Sequence, residues 1–424
     1  MRTLAEWLAL QDSVHPRAID LGLERVTAVA RRLALEQPPF RVITVGGTNG
    51  KGSVAAHAEA LLAALGSKVG LFTSPHLIRY NERIRVGGAA AADAELIEAF
   101  ERIESARGAT TLTFFEYNTL AALAIFARRG VEVAVLEVGL GGRLDATNLV
   151  SPDVAVLVSV GLDHRDWLGD SLESIGAEKA GILRAGRPAV LGTPDMPASV
   201  YAAIAALGAR ALVAERDFTW ARAGERWSYR GPLLRLADLA PSRLAGAIQY
   251  RNAATALTAV AALAAVTALP GALDARTVNA ALAGVELPGR LQIVPGAVEW
   301  ILDIAHNEPA ARVLAAHLRE RPLPRPGGRT LAVAGVLGDK DAAGIGAALG
   351  PLIDEWILCT LPGARGASAA QLAARLNLPG ARLTLADSVV RGCELARSAA
   401  RPGDRVVVFG SFHTVGPALE WLRI

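Results

Sequence analysis

The segment Val42–Ser53 constrains the fold more than any other part of the chain, because a β-branched run ends abruptly in glycines, a lysine and a hydroxyl. The apolar pattern of a helix, Val54–Leu65, follows directly. Strand, glycine loop and helix in this order form a phosphate-binding site, since glycine lets backbone N–H groups approach phosphate oxygens and a helix N-terminus carries partial positive charge. The segment therefore predicts nucleotide binding.

Two side chains of this loop have the chemistry that a nucleotide needs. Lys51 is expected to contact the outer phosphates, and Ser53 to ligate a Mg²⁺ ion bound to them. The spacing differs from the common GxxxxGK[ST] pattern, because only three residues separate Gly46 from Gly50 and because Gly52 follows the lysine. A plain glycine turn between a strand and a helix therefore stays an alternative.

Continuous apolar segments recur after the loop and alternate with helical patterns. The predicted strands are Lys68–Phe72, Val131–Leu136, Val154–Val160 and Pro188–Gly192. Such an alternation predicts a parallel sheet with helices on both faces, whose ligands bind at the carboxyl ends of the strands. The more polar segment Ala211–Leu236 predicts an antiparallel addition. We expect one shared site for the polar residues that follow strand ends, namely Ser53, Ser74, Glu137 and His164.

A second, smaller α/β pattern fills the C-terminal part of the chain. Its predicted strands are Trp300–Asp303, Thr330–Gly335, Trp356–Cys359 and Arg405–Phe409. The predicted fold is therefore of the α/β class, with a P-loop-containing, mostly parallel sheet domain followed by a smaller Rossmann-like α/β domain. The turn-rich connection Val285–Arg290 sets the predicted domains at residues 1–290 and 291–424.

Composition excludes several functional classes. The 424 residues, 52% of them apolar, suffice for two or three globular domains. The net charge is +3 and the arginines are interspersed with acidic residues, so nucleic-acid binding is not expected. No signal-peptide pattern and no apolar run of transmembrane length are visible, which predicts a cytoplasmic protein without membrane contact. Cys359 and Cys393 lack metal-ligand spacing, and the absence of a long exposed apolar heptad predicts a monomer.

The chemistry of the strand-end residues alone leaves alternatives open. Glu137 has the position of a carboxylate that binds Mg²⁺, although a strand-end Glu can also be a simple polar cap. His164 is more often a packed or capping residue, since His is an uncommon ligand of Mg²⁺. Ser74, beside Pro75, would ordinarily be a turn residue.

Several segments together resemble the folylpolyglutamate synthase/dihydrofolate synthase family of the Mur ligase superfamily. They are GGTNGKGS (46–53), TSPHL (73–77), LEVGLGGRLDATN (136–148), LDH (162–164), ESIGAEKAGI (173–182), RNAATAL (251–257), LPGR (287–290), DIAHN (303–307) and GSFHTVG (410–416). Their joint occurrence in the family's order is specific. The resemblance implies an ATP-dependent ligase that adds L-glutamate to 7,8-dihydropteroate and to reduced folylglutamates through an acyl phosphate.

The resemblance also implies which residues bind ATP and two Mg²⁺ ions. ATP would contact Thr48, Asn49, Gly50, Lys51, Gly52, Ser53, Asn252, Arg290 and Asp303. One ion would be held by Ser74, Glu137 and His164, and the second with the help of Lys179, which is carbamylated in the family. Lys51, Lys179 and His306 would be catalytic, and domain closure would complete the site. A requirement for K⁺ stays open.

Three further segments are implied to bind the folate-type substrate. Their residues are Asp20, Leu21, Gly22, Leu23, Thr113, Phe114, Phe115, Glu116, Leu144, Asp145 and Ala146, and Ser411 would line the glutamate site. The two phenylalanines either flank a flat pterin ring or belong to the core. Departures from the family's pattern at Asn307–Pro309 and at Gly338–Asp339 leave the fine specificity for glutamate open.

Two other functions are compatible with part of this pattern. A Mur-type ligase of peptidoglycan precursors would use the same chemistry, but the 45 residues before Gly46 are expected to be too few for its usual substrate domain. A regulatory P-loop NTPase would hydrolyse ATP without forming an amide. That function leaves the matched ATP and glutamate segments of the second domain unexplained.

Overall fold

Two units make up the chain in the computed structural model, which describes residues 2–424. The first unit consists of the chain up to His76 together with Tyr80–Arg243 and Tyr250–Glu286. The second unit consists of Leu77–Arg79, Leu244–Gln249 and Leu287–Ile424. The predicted boundary between residues 290 and 291 refers to functional domains and stays a prediction.

An eight-stranded sheet forms the centre of the first unit. Its strands are β1 (Arg41–Gly46), β2 (Val69–Phe72), β3 (Ile84–Val86), β4 (Ala89–Ala90), β5 (Val133–Glu137), β6 (Val154–Leu157), β7 (Pro188–Leu191) and β8 (Arg210–Val213). Their order is β4-β3-β2-β5-β1-β6-β7-β8. Every neighbouring pair is parallel except β2 with β3 and β3 with β4. The prediction of a mostly parallel sheet is confirmed.

Helices cover both faces of this sheet. Successive side chains of a strand point to opposite faces, so a continuous apolar strand needs a covering layer on each side. The helices are α1 (Leu4–Val14), α2 (Glu24–Arg32), α3 (Lys51–Ala64), α4 (Asp93–Arg107), α5 (Phe114–Arg128), α6 (Arg165–Leu168), α7 (Leu172–Ala180), α8 (Ala198–Leu207), α9 (Ile248–Ala264) and α10 (Ala275–Gly284). Ile43 of β1 packs in one apolar cluster with Leu61 of α3. The next residue towards the N-terminus, Val42, packs in another cluster with Leu120 of α5.

The predicted antiparallel addition over Ala211–Leu236 was partly wrong. Its first residues belong to β8, which pairs in parallel with β7. The reason is that Val213 is buried in the same apolar cluster as Leu191, so this piece extends the main core. Antiparallel pairing begins only afterwards, in a three-stranded sheet of β9 (Thr219–Ala223), β10 (Arg226–Arg230) and β11 (Arg235–Leu239).

The second unit has a six-stranded sheet in the order β12-β13-β17-β14-β15-β16. Its strands are β12 (Gln292–Val294), β13 (Glu299–Asp303), β14 (Thr330–Ala334), β15 (Glu355–Cys359), β16 (Arg382–Ala386) and β17 (Arg405–Phe409), and its helices are α11 (Glu308–Glu320), α12 (Ala342–Leu349), α13 (Ala369–Leu376), α14 (Val389–Ala399) and α15 (Phe412–Leu422). All pairs are parallel except β12 with β13. The second α/β domain is thereby confirmed. None of the helices within residues 2–424 has the length and apolar character that a membrane span requires.

A buried ion pair in the second unit allows a test of stability. Glu299 accepts from Arg405 Nε at 2.9 Å, and both side chains are less than a tenth exposed. Burial alone would raise the pKa of the Glu299 carboxyl, but hydrogen bonds from Arg321 and Arg405 hold this pKa below its ordinary value. We expect Glu299→Gln to lower the free energy of unfolding by about 3 kcal/mol at pH 7, because an unpaired buried cation remains. Urea denaturation measures this difference.

The pH dependence provides the control for this prediction. A carboxyl with a lowered pKa in the folded state stabilises the protein above its unfolded-state pKa, and this contribution is lost as the pH falls through the folded-state value. The difference between wild type and Glu299→Gln should therefore shrink in acid. Glu320→Gln, at an exposed position of α11, should leave stability unchanged at either pH. A pH-independent difference for Glu299→Gln would contradict the assignment of its effect to the ion pair.

Candidate active site

The predicted phosphate loop connects β1 to α3, and its glycines are required by its geometry. Gly50 precedes the first helical residue with φ of 86°, a conformation that favours glycine. A Cβ at this position would lie 2.9 Å from Val158 Cγ1 and 3.4 Å from Asn252 Oδ1. The structure thus brings Asn252, predicted to contact ATP, next to the loop.

Hydrogen bonds fix the loop to the segment that follows β6. The Thr48 backbone N–H donates to the Ser159 carbonyl at 2.8 Å, and the Asn49 N–H donates to Ser159 Oγ at 3.1 Å. The Thr48 hydroxyl donates to the Gly161 carbonyl at 3.1 Å. The loop is therefore held in one conformation by protein contacts, which reduces the entropy lost when a phosphate binds.

Two predicted catalytic lysines meet at a single carbonyl group. Lys51 Nζ donates to the Gly47 carbonyl at 3.1 Å, and Lys179 Nζ donates to the same oxygen at 3.1 Å. Lys179 is 4% exposed. Burial, with the nearby charge of Lys51, lowers the pKa of Lys179 to about 7. The neutral amine is consequently accessible near neutral pH.

The helix behind the loop contains a buried histidine that sequence reasoning missed. His57 Nδ1 lies 2.7 Å from the Ser53 carbonyl, which can only accept, so this nitrogen carries the proton. His57 Nε2 accepts from Ser242 Oγ at 2.8 Å. Burial lowers the pKa of His57 to about 4, which keeps the ring neutral. Ser53, a predicted ATP-binding residue, is itself buried at the start of α3.

The predicted metal ligands follow three different strands. The Ser74 N–H donates to Glu137 Oε2 at 3.3 Å, because β2 and β5 are neighbours. Their hydroxyl and carboxylate are hard oxygen ligands that suit Mg²⁺. His164 follows β6, on the other side of β1, and adopts a left-handed conformation with φ of 52°. β5 and β6 are two strand spacings apart, about 10 Å. Strand order alone therefore does not bring His164 into contact with Ser74 and Glu137.

Residues 2–424 contain no cluster of three or more His, Cys, Asp or Glu side chains that could hold a metal ion. The predicted set includes a serine and a modified lysine, so this absence does not test it. The metal assignment of Ser74, Glu137, His164 and Lys179 stays a prediction.

Asp145 organises the loop that follows β5. Its carboxylate accepts from the backbone N–H groups of Gly139 at 3.1 Å, Leu140 at 2.9 Å and Thr147 at 3.0 Å. Burial raises the pKa of Asp145, although these hydrogen bonds oppose the shift. Its immediate role is to shape the loop that carries Leu144, and direct contact with substrate stays a prediction.

One arginine joins the first two predicted folate segments, and sequence reasoning missed it. Arg25 of α2 donates to Asp20 Oδ2 and to the Asp20 carbonyl, both at 2.7 Å. Its Nη2 also lies 3.3 Å from Glu116 Oε1. His15 links Asp20 at 3.0 Å to Thr111 at 2.9 Å. The sequence shows Arg25 only as a charged residue five positions after Asp20, which does not predict its contact with Glu116.

The three predicted folate segments border one apolar cluster. Ala146 is buried in it, and Leu23, Phe114 and Phe115 pack against it while staying half-buried. Thr113 caps α5, so both phenylalanines are the first residues of a helix. Both phenylalanines therefore pack against the core and keep part of their surface exposed. This arrangement fits a core residue and also a residue that flanks a flat pterin ring. The other half-buried members of the segments are Asp20, Leu21, Gly22 and Leu144.

Residues predicted for the second unit also gather at strand ends. Asp303, at the end of β13, accepts from the N–H groups of Leu291 and Ala305, both at 2.8 Å. Burial raises the pKa of Asp303, opposed chiefly by the charge of Arg290. His306 Nδ1 lies 2.9 Å from the Ile304 carbonyl, which can only accept, so this nitrogen donates the hydrogen bond.

Ser411, predicted to line the glutamate site, follows the neighbouring strand β17. Ser411 is buried and caps α15 by accepting from the His413 N–H at 3.1 Å. The Arg290 guanidinium lies 5.3 Å from the centre of the Phe412 ring. β13 and β17 are parallel neighbours, so Asp303 and Ser411 follow adjacent strands at the same edge of the sheet.

Family models match two parts of the chain. The Mur ligase middle domain matches residues 45–192, and the Mur ligase glutamate ligase domain matches residues 289–412. The first includes the phosphate loop, Ser74, Glu137, His164 and Lys179. The second begins beside Arg290 and includes Asp303 and His306.

Relatives match over nearly the whole length. The dihydrofolate synthase/folylpolyglutamate synthase of Escherichia coli K12 is 43% identical, with 98% of this chain and 95% of that protein covered. The structure of E. coli FolC in complex with DHPP and ADP has a TM-score of 0.93 at 42% identity, with 100% and 98% covered. A structure of a bifunctional folylpolyglutamate synthase/dihydrofolate synthase with Mn, AMPPNP and L-glutamate bound has a TM-score of 0.90 at 42% identity, with 100% and 99% covered. The chain belongs to the dihydrofolate synthase/folylpolyglutamate synthase family of Mur ligases.

Proposed function

We propose that this chain is an ATP-dependent ligase that adds L-glutamate to 7,8-dihydropteroate and to reduced folylglutamates. The observation that carries the proposal is the phosphate loop with Lys51 and Asn252 beside it, in a chain that matches ligases of this family from end to end. The relatives with ADP, or with AMPPNP and L-glutamate, support both co-substrates. The use of ATP supports the predicted cytoplasmic location.

The reaction proceeds in two steps. An oxygen of the substrate carboxylate attacks the γ-phosphorus of ATP, the bond to ADP breaks, and an acyl phosphate forms. The glutamate amine, once deprotonated, then attacks the acyl carbon, and phosphate leaves. Lys51 stabilises the charge on the transferring phosphoryl group. His306, whose ring is oriented by the hydrogen bond from Nδ1 to the Ile304 carbonyl, is the candidate acceptor of the amine proton.

Divalent metal is part of this proposal. Ser74, Glu137 and His164 would hold one Mg²⁺ ion, and Lys179 would help to hold a second. The ions would neutralise the charge on the phosphates. The Mn in related structures with AMPPNP supports a divalent ion at the nucleotide.

Lys179 can act as a Mg²⁺ ligand only after chemical modification. Its neutral amine adds to CO₂, an N–C bond forms, and one N–H proton is released, so a neutral amine becomes an anionic carbamate with hard oxygen ligands. The lowered pKa, the burial and the second lysine on the Gly47 carbonyl all favour this change. A carbamate would replace the repulsion between Lys51 and Lys179 by attraction.

A product assay tests the function. The protein is incubated with ATP, Mg²⁺ and L-glutamate, and with either 7,8-dihydropteroate or tetrahydrofolate, and products are identified by mass spectrometry alongside phosphate release. We expect glutamate to be added to both substrates. Addition to tetrahydrofolate alone would restrict the function to polyglutamylation.

The two alternative functions predict other outcomes of the same assay. A Mur-type ligase would show turnover only with a nucleotide-sugar substrate, and a regulatory NTPase would release phosphate without an amide product. Repeating the assay without K⁺ decides whether a monovalent cation is needed. Sedimentation of the active protein tests the predicted monomer.

A further inference from the structure

Arg83 is a buried cation that has no role in the two proposed reaction steps. It is 7% exposed and ends the 3₁₀ turn Tyr80–Arg83. Its Nε donates to His76 Nδ1 at 2.7 Å. Within residues 2–424, neither terminal guanidinium nitrogen has a hydrogen-bond acceptor, although neither is sealed from solvent. Burying a guanidinium without acceptors is costly, so these nitrogens are expected to meet an anion supplied by a ligand.

The surroundings of Arg83 indicate which ligand this is. On one side, its guanidinium lies over the rings of Phe114 at 5.3 Å and Tyr80 at 5.8 Å. Phe114 begins α5 and belongs to a predicted folate segment. The Tyr80 hydroxyl is bonded to Asn118 and does not compete for the guanidinium. The arginine therefore borders the place predicted for the aromatic part of the substrate.

On its other side, Arg83 is joined to the predicted metal pair. The Arg83 carbonyl accepts from the Thr73 N–H at 2.9 Å, and the next residue, Ser74, donates to Glu137. The charge of Glu137 acts on the guanidinium, opposing the burial that lowers the pKa of Arg83. Arg83 thus adjoins both the expected position of the aromatic rings and the predicted metal pair.

We propose that Arg83 binds a substrate carboxylate through its two terminal nitrogens, and that this is the carboxylate of the folate substrate to which glutamate is added. The inference rests on the proposed function and deepens it. The reacting carboxylate must extend from the aromatic part towards the metal-bound nucleotide, and the guanidinium adjoins both the aromatic segment and the predicted metal pair. The planar fork matches both carboxylate oxygens, so it can orient one of them for attack without transferring a proton.

A binding cycle on the full chain tests this proposal. Calorimetry measures the affinities of wild type and Arg83→Gln for 7,8-dihydropteroate and for the analogue that lacks only the carboxyl group. We expect Arg83→Gln to weaken dihydropteroate binding by about 10- to 100-fold, as for a hydrogen bond to a charged group. Binding of the analogue should change by less than about threefold. Equal weakening of both ligands would overturn the proposal, because it would indicate a purely structural role.

Two further variants control for charge and folding. Arg83→Lys keeps the charge but loses the fork, and it should weaken dihydropteroate binding while leaving the analogue unaffected. It replaces Arg83→Gln in the cycle if that variant does not fold. Arg102→Gln removes an exposed arginine of α4 and should leave both affinities unchanged.

Steady-state kinetics distinguishes the folate-type substrate from L-glutamate, since both carry a carboxylate that Arg83 could bind. In Arg83→Lys the KM for dihydropteroate and for tetrahydrofolate should rise, while the KM for ATP and that for L-glutamate stay within about twofold. A rise confined to L-glutamate would overturn the assignment, because Arg83 would then bind the incoming amino acid. Absence of ligation by wild type would count against the proposed function alone, since the binding cycle does not require turnover.

Discussion

Lys51→Ala should lower the rate of glutamate ligation by about 10³-fold, which corresponds to about 4 kcal/mol of transition-state stabilisation. The side chain ends at the carbonyl groups of Gly47 and Thr48, within the loop that is expected to hold the outer phosphates. Charge that develops on the transferring phosphoryl group has to be neutralised there, and alanine offers no cation. Phosphate release and product formation, measured at saturating substrates, check the expectation.

A matched lysine provides the control for this experiment. Lys68 is exposed and lies just before β2 in the same unit, so Lys68→Ala should retain full activity. Lys51→Arg keeps the positive charge but places it differently, and we expect it to remain far below wild type. If Lys51→Ala still ligates glutamate at a rate close to that of wild type, the assignment of the phosphate loop is wrong.

The features that could be predicted from the sequence are the local ones. A β-branched run that stops at glycines determines a strand and a loop within a few residues of each other, so β1 and α3 were found with their loop. Continuous apolar segments likewise predicted β5 and β6, because strands buried on both faces have few polar residues. The ends of the predicted strands β2 and β5 then located Ser74 and Glu137, and the fold makes these two strands neighbours.

Features that depend on distant partners were missed. Arg25 appears in the sequence as an ordinary helix arginine, and only the fold brings it to Asp20 and Glu116. His57 is a neutral ring because the fold buries it, with Ser242 from far along the chain at its Nε2. The edge strand β16 has an exposed and alternating side-chain pattern, which lacks the apolar continuity used to find the central strands.

Lys179 shows that a local pattern can give the position of a residue without its chemistry. A helix lysine is ordinarily solvated, and nothing in its immediate neighbours predicts burial. The structure adds the physical reason for reactivity, since α7 directs the amine to the Gly47 carbonyl beside a second lysine. Lys51, which is proposed to stabilise phosphate charge, therefore also increases the fraction of Lys179 that is the neutral amine.

Lys179→Met should lower the ligation rate by about 10²-fold or more, because the carbamate proposed to help bind the second Mg²⁺ cannot form. In wild-type protein, ¹³C-labelled bicarbonate should give a carbamate carbon signal by NMR, and Lys179→Met should lack it. Only the neutral amine reacts with CO₂, and the pKa of Lys179 is lowered to about 7. At fixed CO₂ pressure, reactivation of CO₂-depleted protein should therefore be about tenfold faster at pH 8 than at pH 6.

The two lysine predictions are coupled, and the coupling separates carbamylation from simple packing. The charge of Lys51 helps to lower the pKa of Lys179, so Lys51→Ala should raise that pKa and move carbamate formation to higher pH. A lysine that only packs against the loop would show neither a labelled carbon nor a shift of this kind. Unchanged activity after complete removal of CO₂ would contradict the carbamate, whereas loss of activity that bicarbonate restores in wild type but not in Lys179→Met would support it.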